Sequence, residues 1–273
     1  MSDQSTKISI LLPTRGRTDA LDRSIMSLIN LASAPKNLQF VIAFDNDDKA
    51  SSAYFVDTIA SKINNSGARY TCLEFNPMGY IRLNEYVNQC AKVATGDWLM
   101  FWNDDAFMVS AGWDEEIVKH TGKFCCLRMP THKEHPYAIF PIVPRTWYEL
   151  FDYLSAHQIS DAWISQMSYM LDIMKNIDVK VVHDRHDLTG NNNDDTFKNR
   201  PMLEGNHSDP RDFNHDSWRK KRVDDAVKIN NYLTSIGQPS SWFKNVVEGK
   251  QDPWEKMCGP EFDPNKQLTQ YKT

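Results

Sequence analysis

The sequence predicts an α/β protein with a mainly parallel central sheet, helices on both faces and a C-terminal helical extension. Three observations carry that expectation. Short β-branched runs alternate with helix-period segments through the first hundred residues; strict alternation of this kind gives parallel strands with helical crossovers. The strand runs are almost wholly apolar, as strands covered on both faces are. The chain of 273 residues, 41% hydrophobic and 25% charged, is also long enough to bury a sizeable core.

The elements follow in order. KISILLP (7–13) is a strand closed by proline, and TDALDRSIMSLINLAS (18–33) places Leu21, Ile25, Leu28 and Ile29 at helical spacing behind Thr18 as N-cap. LQFVIAF (38–44) and RYTCLEF (69–75) are strands, with a helix at 50–63 between them. A third helix spans 80–95, ended by Gly96, and DWLMFW is the fourth strand. Beyond residue 107 the alternation loosens. A short helix is expected at 113–120, strands at KFCCLRM and YAIFPIV, helices at 144–157 and 160–177, a strand at 179–183 and a last helix near 216–236. Pro144 stands in the first turn of one middle helix, where proline is tolerated, and Ser160 caps the other. No repeat or linker marks a domain boundary.

Composition narrows the function. A net charge of −5 and a pI near 5.9 give no overall attraction to nucleic acid or anionic membrane. No apolar run approaches the roughly 20 residues needed to span a bilayer, and the N-terminus lacks the basic-then-apolar pattern of a signal peptide. Five cysteines without metal-ligand spacing suit a reducing compartment, so the cytoplasm is expected. WRKKR (218–222) is the one dense basic run. It reads either as a solvated helix face neutralised by Asp224 and Asp225 or, beside Trp218, as a contact for an acidic acceptor such as DNA.

Three strand ends carry polar clusters: PTRGR (13–17), DNDD (45–48) and NDD (103–105). Each alone reads as a turn or cap, because Asp and Asn side chains bond nearby backbone amides. Parallel topology brings all three to one edge, where ligands of such sheets bind. Basic groups after one strand and carboxylates after two others suit a metal-bound, negatively charged ligand, with Mg²⁺ or Mn²⁺ sharing its shell with phosphates. Neither G-x-G-x-x-G nor G-x-x-x-x-G-K-[ST] occurs, so phosphate falls to a metal and to side chains rather than to a glycine cradle; Arg185 can bind phosphate in a bidentate fork, and Arg15 is a further candidate for binding a nucleotide sugar.

ISILLPTRGR, VIAFDNDD and NPMGYIRLNEYVNQCAKVATGDWLMFWNDDAFM, in that order, resemble the GT-A glycosyltransferases, family 2-like members in particular. The likeness is close over about 7–115 and looser to about 197. It implies one GT-A domain over 1–199, a nucleotide-binding half to 115 and an acceptor half from 116, followed by the extension at 200–273. It implies a nucleotide-sugar donor, UDP- or GDP-linked, with Pro13, Thr14 and Arg17 lining the nucleoside pocket. Asp45 would face the base, Gly79 and Asn84 would lie near the nucleotide, and Asn103-Asp104-Asp105 would be the D-x-D metal motif. That motif begins here with an amide, whose carbonyl oxygen can still coordinate, and Asp105 is the position that reaches the cation.

The same resemblance points to Asp161, in ISDAW, as the base that deprotonates an acceptor hydroxyl with inversion; helix-dipole preference alone also explains an acid there. Asp152 is the fallback. In HDRHD (183–187) it favours His183 over His186 as a group returning to the metal, and TGNNNDD reads as a loop that orders over the donor. Acceptors left open are soluble glycans, proteins, small molecules and, speculatively, hydroxymethylated bases of viral DNA. A sugar-phosphate nucleotidyltransferase would show a lysine-containing glycine-rich turn where PTRGR stands. A non-catalytic nucleotide-sugar-binding module is the other alternative. A metallohydrolase built on HDRHD lacks a second His/Asp cluster.

Overall fold

The computed structural model of the protein describes residues 7–131, 137–190, 208–240, 243–245, 248 and 250. The loop residues from Asn191 onward, the expected boundary near 199 and most of the chain beyond 240 lie outside the described residues.

The first half keeps the expected order of strands and helices, but the helix expected over 50–63 is two helices about a π turn and the one expected over 80–95 is α-helical only over Leu83–Val93. Strand β1 (Ile8–Thr14) leads to helix α1 (Thr18–Leu31) and strand β2 (Leu38–Asp45). Helices α2 (Lys49–Tyr54) and α3 (Ala60–Ser66), joined through a π-helical turn at Phe55–Ile59, lead to β3 (Arg69–Phe75). Helix α4 (Leu83–Val93) precedes β4 (Trp98–Phe101). β1 runs parallel to β2 and to β4, and β2 runs parallel to β3. The second half adds β5 (Ala106–Met108), α5 (Trp113–Val118), β6 (Cys126–Arg128), β7 (Ile142–Pro144), α6 (Arg145–Phe151) and α7 (Ser160–Met170). It closes with β8 (Met174–Asn176), β9 (Val181–His183), α8 (His186–Thr189) and α9 (Asp216–Ser235). The central sheet has the order β3-β2-β1-β4-β7-β6-β8, with β7 antiparallel to both neighbours, and β5 pairs with β9 in a separate two-stranded ribbon.

Side-chain alternation along β1 sorts the core into two layers. Ile8, Ile10 and Leu12 pack with Leu21, Ile25 and Leu28 of α1 on one face. Leu11 packs with Val87, Cys90 and Ala91 of α4 on the other, in a layer that continues through Trp147, Trp163 and Met167. Helix α9 closes that second layer with Ala226, Ile229 and Leu233. It also buries Arg222, whose guanidinium donates to the Phe213 carbonyl at 2.9 Å and lies 4.0 Å from the Phe213 ring centroid.

Several boundaries differ from the sequence expectation. The helix expected over 160–177 stops at Met170, because Asp172 adopts a left-handed backbone (φ 59°) and turns the chain into β8. The methionine-rich run suits a buried helix and a buried strand equally, so periodicity alone does not place its end. Asp152 likewise lies outside its expected helix, at φ 61° just after α6. Thr18 and Ser160 are first helical residues rather than caps; Arg17 and Ile159 precede them without side-chain capping. Of YAIFPIV only the last two residues enter β7, which continues into Pro144.

Gly96 does not end α4, which is capped at Ala94. Its role is close approach: a Cβ there would lie 2.6 Å from the Ser9 nitrogen and 2.8 Å from the Ile8 carbonyl carbon. Backbone cannot yield as a flexible side chain can. Gly96→Ala is therefore expected to push β4 from β1 and cost about 1–3 kcal/mol, the usual range for overpacking. Urea unfolding checks this, and an unchanged midpoint contradicts it.

Candidate active site

A cleft of about 690 Å³ lies at the carboxyl ends of β1, β2 and β4. All but one of the residues expected at the site line it: Pro13, Thr14, Arg15, Arg17, Asp45, Gly79, Asn103, Asp104, Asp105, Asp161, His183 and Arg185. Asn84 is the exception. One helical position beyond Leu83, it faces the other way with Asn88, and both side-chain amides donate to the Ser155 carbonyl, at 3.4 and 2.8 Å. Residues four apart share a helix face, so Asn84 belongs to the α4 side that holds the loop after α6.

At one end of the cleft Asp45, 6% exposed, accepts from Arg15 Nη1 at 2.8 Å and from the Tyr86 hydroxyl. Burial, together with the Asp45 carboxylate, pushes Tyr86 up to about 12, so it stays a donor. Arg15 also pairs with Asp47, which raises the guanidinium further and holds Asp47 below the usual carboxylate range. Asp48 accepts from the Gly16 amide at 2.7 Å and caps α2 through the Ser51 amide. Capping is thus true of Asp48, while Asp45 is held for the cleft. Tyr86 and Gly16 were not singled out in the sequence. The legible signal for Tyr86 is its place one turn after Leu83 on the apolar face of α4.

At the other end the turn after β4 is fixed from beneath. Trp102 donates to Ser24 Oγ at 2.8 Å, and Ser24 Oγ donates to the Asn103 carbonyl at 3.3 Å. Asp104 accepts from Thr14 Oγ1 at 2.7 Å and pairs with Arg17 Nη2 at 2.5 Å. Asp105 Oδ2 lies 3.2 Å from Arg17 Nη1. The register Ala106↔His183 in the β5–β9 ribbon, with the Asp184 amide donating to the Asp105 carbonyl at 2.7 Å, sets His183 beside Asp105. The contact runs from His183 Nε2 to Asp105 Oδ1, 3.2 Å apart. Burial pushes the Asp105 carboxyl up, but His183, Arg17 and Arg185 outweigh it and hold it below the usual range.

Among the described residues no group of three or more His, Cys, Asp or Glu side chains is set to hold a metal ion by itself; Asp105 and His183 offer two donors, to which an amide and a ligand's oxygens would have to add the rest. Asp105 Oδ1 is buried, and no donor among the described residues reaches it with hydrogen-bond geometry, although the imidazole nitrogen stands beside it. Asn103 Nδ2 is 3.5 Å from the same nitrogen, so the amide reversed in orientation presents its carbonyl oxygen there. The carboxylate and amide oxygens suit Mn²⁺ or Mg²⁺, whereas the imidazole is a donor that the harder Mg²⁺ takes up poorly.

The facing wall is Gln158, Ile159, Ser160 and Asp161 at the start of α7. His157, 2% exposed, anchors it. Its Nε2 lies 3.1 Å from the Arg211 carbonyl, and its Nδ1 accepts from the Ile159 amide at 3.2 Å. Those partners require the neutral ring protonated on Nε2. His186 also lines the cleft; Asp152 does not. In the basic run Arg222 is buried and Lys221 pairs with the buried Asp225 at 2.5 Å, while Lys220 pairs with Asp224 at 2.6 Å on the exposed face of the helix. Among the described residues no helix is long and apolar enough to cross a membrane.

A cleft at the carboxyl edge of a mostly parallel sheet is where α/β proteins of this class bind their ligands, and here carboxylates and guanidinia line it. The sequence profile "Glycosyl transferase family 2" matches residues 9–178, and the chain belongs to that family. No curated protein sequence matches it. Among solved structures, a mannosyltransferase from Pyrobaculum calidifontis in complex with GDP-Man and Mn²⁺ shares 11% identity. That match has a TM-score of 0.56 and covers 92% of this chain and 70% of that one, a likeness of fold. TarS residues 1–349 from S. aureus, in complex with UDP-GlcNAc, align with 16% identity and a TM-score of 0.45 over 66% of this chain. The chain spans 56% of that TarS chain.

Burial drives His157 below the usual histidine pKa. The unfolded chain therefore binds a proton that the folded chain refuses. This contribution to stability is intact above the ordinary value of about 6.5 and is lost as pH falls below it, by at most about 1.4 kcal/mol per pH unit. Unfolding free energies from pH 8 to 5 should fall more steeply in the wild type than in His157→Gln. Parallel curves contradict the assignment.

Proposed function

We propose that the protein transfers a sugar from a nucleotide-sugar donor, UDP- or GDP-linked, to an acceptor hydroxyl, with inversion and with the help of a divalent cation. The observation that carries this reading is the meeting in one cleft of the Asp105–His183 pair, the Arg17 and Arg185 guanidinia, the Asp45 pocket and Asp161. Family membership supports it. The GDP-Man and Mn²⁺ in the mannosyltransferase of like fold suggest the same donor class and metal.

In this reading Asp45, positioned by Tyr86 and Arg15, receives the base, and Arg17 and Arg185 meet the diphosphate. Asp105, His183 and Asn103 hold the cation, which when bound neutralises charge on the departing diphosphate. Asp161 takes the proton from the acceptor hydroxyl as its oxygen bonds to the anomeric carbon and the bond from that carbon to the diphosphate breaks. The wall held by His157 keeps Asp161 facing that reaction. The burial of Arg222 and the pairing of Lys221 with the buried Asp225 favour an acceptor other than nucleic acid.

Thermal shift with UDP, GDP and their sugars, with and without Mn²⁺, tests the reading. One nucleotide should stabilise the protein only with metal, by about 2.7 kcal/mol at 100 times its Kd. Asp105→Ala should abolish that gain and Asp161→Asn should keep it. With an acceptor in hand, Asp161→Asn should lower transfer by roughly 10²–10⁴-fold, the usual contribution of a general base. No shift with any nucleotide overturns the reading, and full transfer by Asp161→Asn overturns the role of Asp161.

A further inference from the structure

The two carboxylates after β4 already have a resident counter-ion. Arg17 is 16% exposed at its side chain and reaches both, at 2.5 Å to Asp104 and 3.2 Å to Asp105. It is fixed in place by the chain on either side: β1 ends at Thr14, whose hydroxyl holds Asp104, and α1 starts at Thr18. A guanidinium cannot lose its charge at working pH. Any cation held at Asp105 Oδ1 therefore stands a few ångströms from a permanent positive charge, within a site of reduced dielectric.

We propose that Arg17 makes the cleft selective for a cation already paired with a nucleoside diphosphate, and so couples the binding of the two. The inference rests on the cation and nucleotide reading above and adds to it the residue that sets their order. With bare metal, the charge on Arg17 offsets much of the attraction of Asp104 and Asp105. With a diphosphate present, its oxygens compensate the cation and Arg17 together, and like-charge repulsion becomes a shared clamp. Arg17 acts here as a specificity residue, through charge and without taking a proton.

The test counts bound Mn²⁺ through the electron paramagnetic resonance signal of the free ion, with matched protein-free mixtures as the baseline. Wild type, Arg17→Met and Arg17→Lys are titrated with Mn²⁺ alone, then with UDP or GDP present. Wild type should bind Mn²⁺ weakly alone and well with one diphosphate. Arg17→Met should bind Mn²⁺ alone roughly tenfold tighter or more, as removal of an adjacent like charge implies, and its gain from the diphosphate should shrink. Arg17→Lys keeps the charge and should keep wild-type behaviour. Should Arg17→Met fold poorly, Mn²⁺ alone should raise its melting temperature more than it raises that of wild type.

Two results sink the proposal while leaving the cation site intact. In one, wild type takes up Mn²⁺ with a diphosphate but Arg17→Met binds bare Mn²⁺ no tighter and gains no thermal stability from it. In the other, Arg17→Lys matches Arg17→Met. If wild type takes up no Mn²⁺ even with UDP or GDP, the underlying metal reading falls and the proposal falls with it.

Discussion

Two adjacent carboxylates, Asp104 and Asp105, are 1% and 5% exposed at the end of a buried strand. Charges so placed are costly unless paired and hydrogen-bonded, and much of the surrounding structure serves that need. Thr14 and Arg17 come from the turn after β1, His183 from the end of β9, and the Asn103 carbonyl is held by Ser24 of α1. Removing any one partner leaves a buried charge less compensated. Such an arrangement is hard to account for as a turn cap, because an exposed Asp caps a turn at far lower cost.

The fold delivers these partners by register. β1 lies between β2 and β4, so the ends of these three parallel strands share one edge. The fourth contribution comes by a different route. The β5–β9 ribbon, outside the main sheet, pairs Ala106 with His183 and brings the late histidine back beside Asp105. The wall at the start of α7 depends on chain well beyond it: His157 is wedged against the Arg211 carbonyl and the Phe213 and Trp218 rings, so α9 and the segment before it help to hold that wall.

The parallel half was legible because its strands are continuous apolar runs and its helices carry a clear stripe, as α1 does at Leu21, Ile25 and Leu28. The site was legible for the same reason: once β1, β2 and β4 are parallel, PTRGR, DNDD and NDD must meet. What the sequence hid depends on pairing between distant segments. The ribbon strand Ala106–Met108 is three residues long, too short for any period, and only β9 makes it a strand. The end of α7 and the start of β8 turn on Asp172 at positive φ, which composition does not announce. Asn84, which the resemblance puts near the nucleotide, has its side chain turned toward Ser155 by helix phase, and a motif match does not carry that phase. The pairing of Arg17 with Asp104 and Asp105, the feature with most consequence, joins three residues that stand out in the sequence without any sign there that they touch.

On the proposed reading the cleft seats a nucleoside diphosphate against a cation held by Asp105 and His183. The most direct test is anomalous diffraction at the manganese edge from crystals grown with Mn²⁺ and UDP or GDP. The account predicts a single strong peak coordinated by Asp105, with the diphosphate between it and the Arg17–Arg185 side and the base near Asp45. A nucleotide bound outside this cleft, or a manganese peak remote from Asp105 while the nucleotide occupies the cleft, contradicts it.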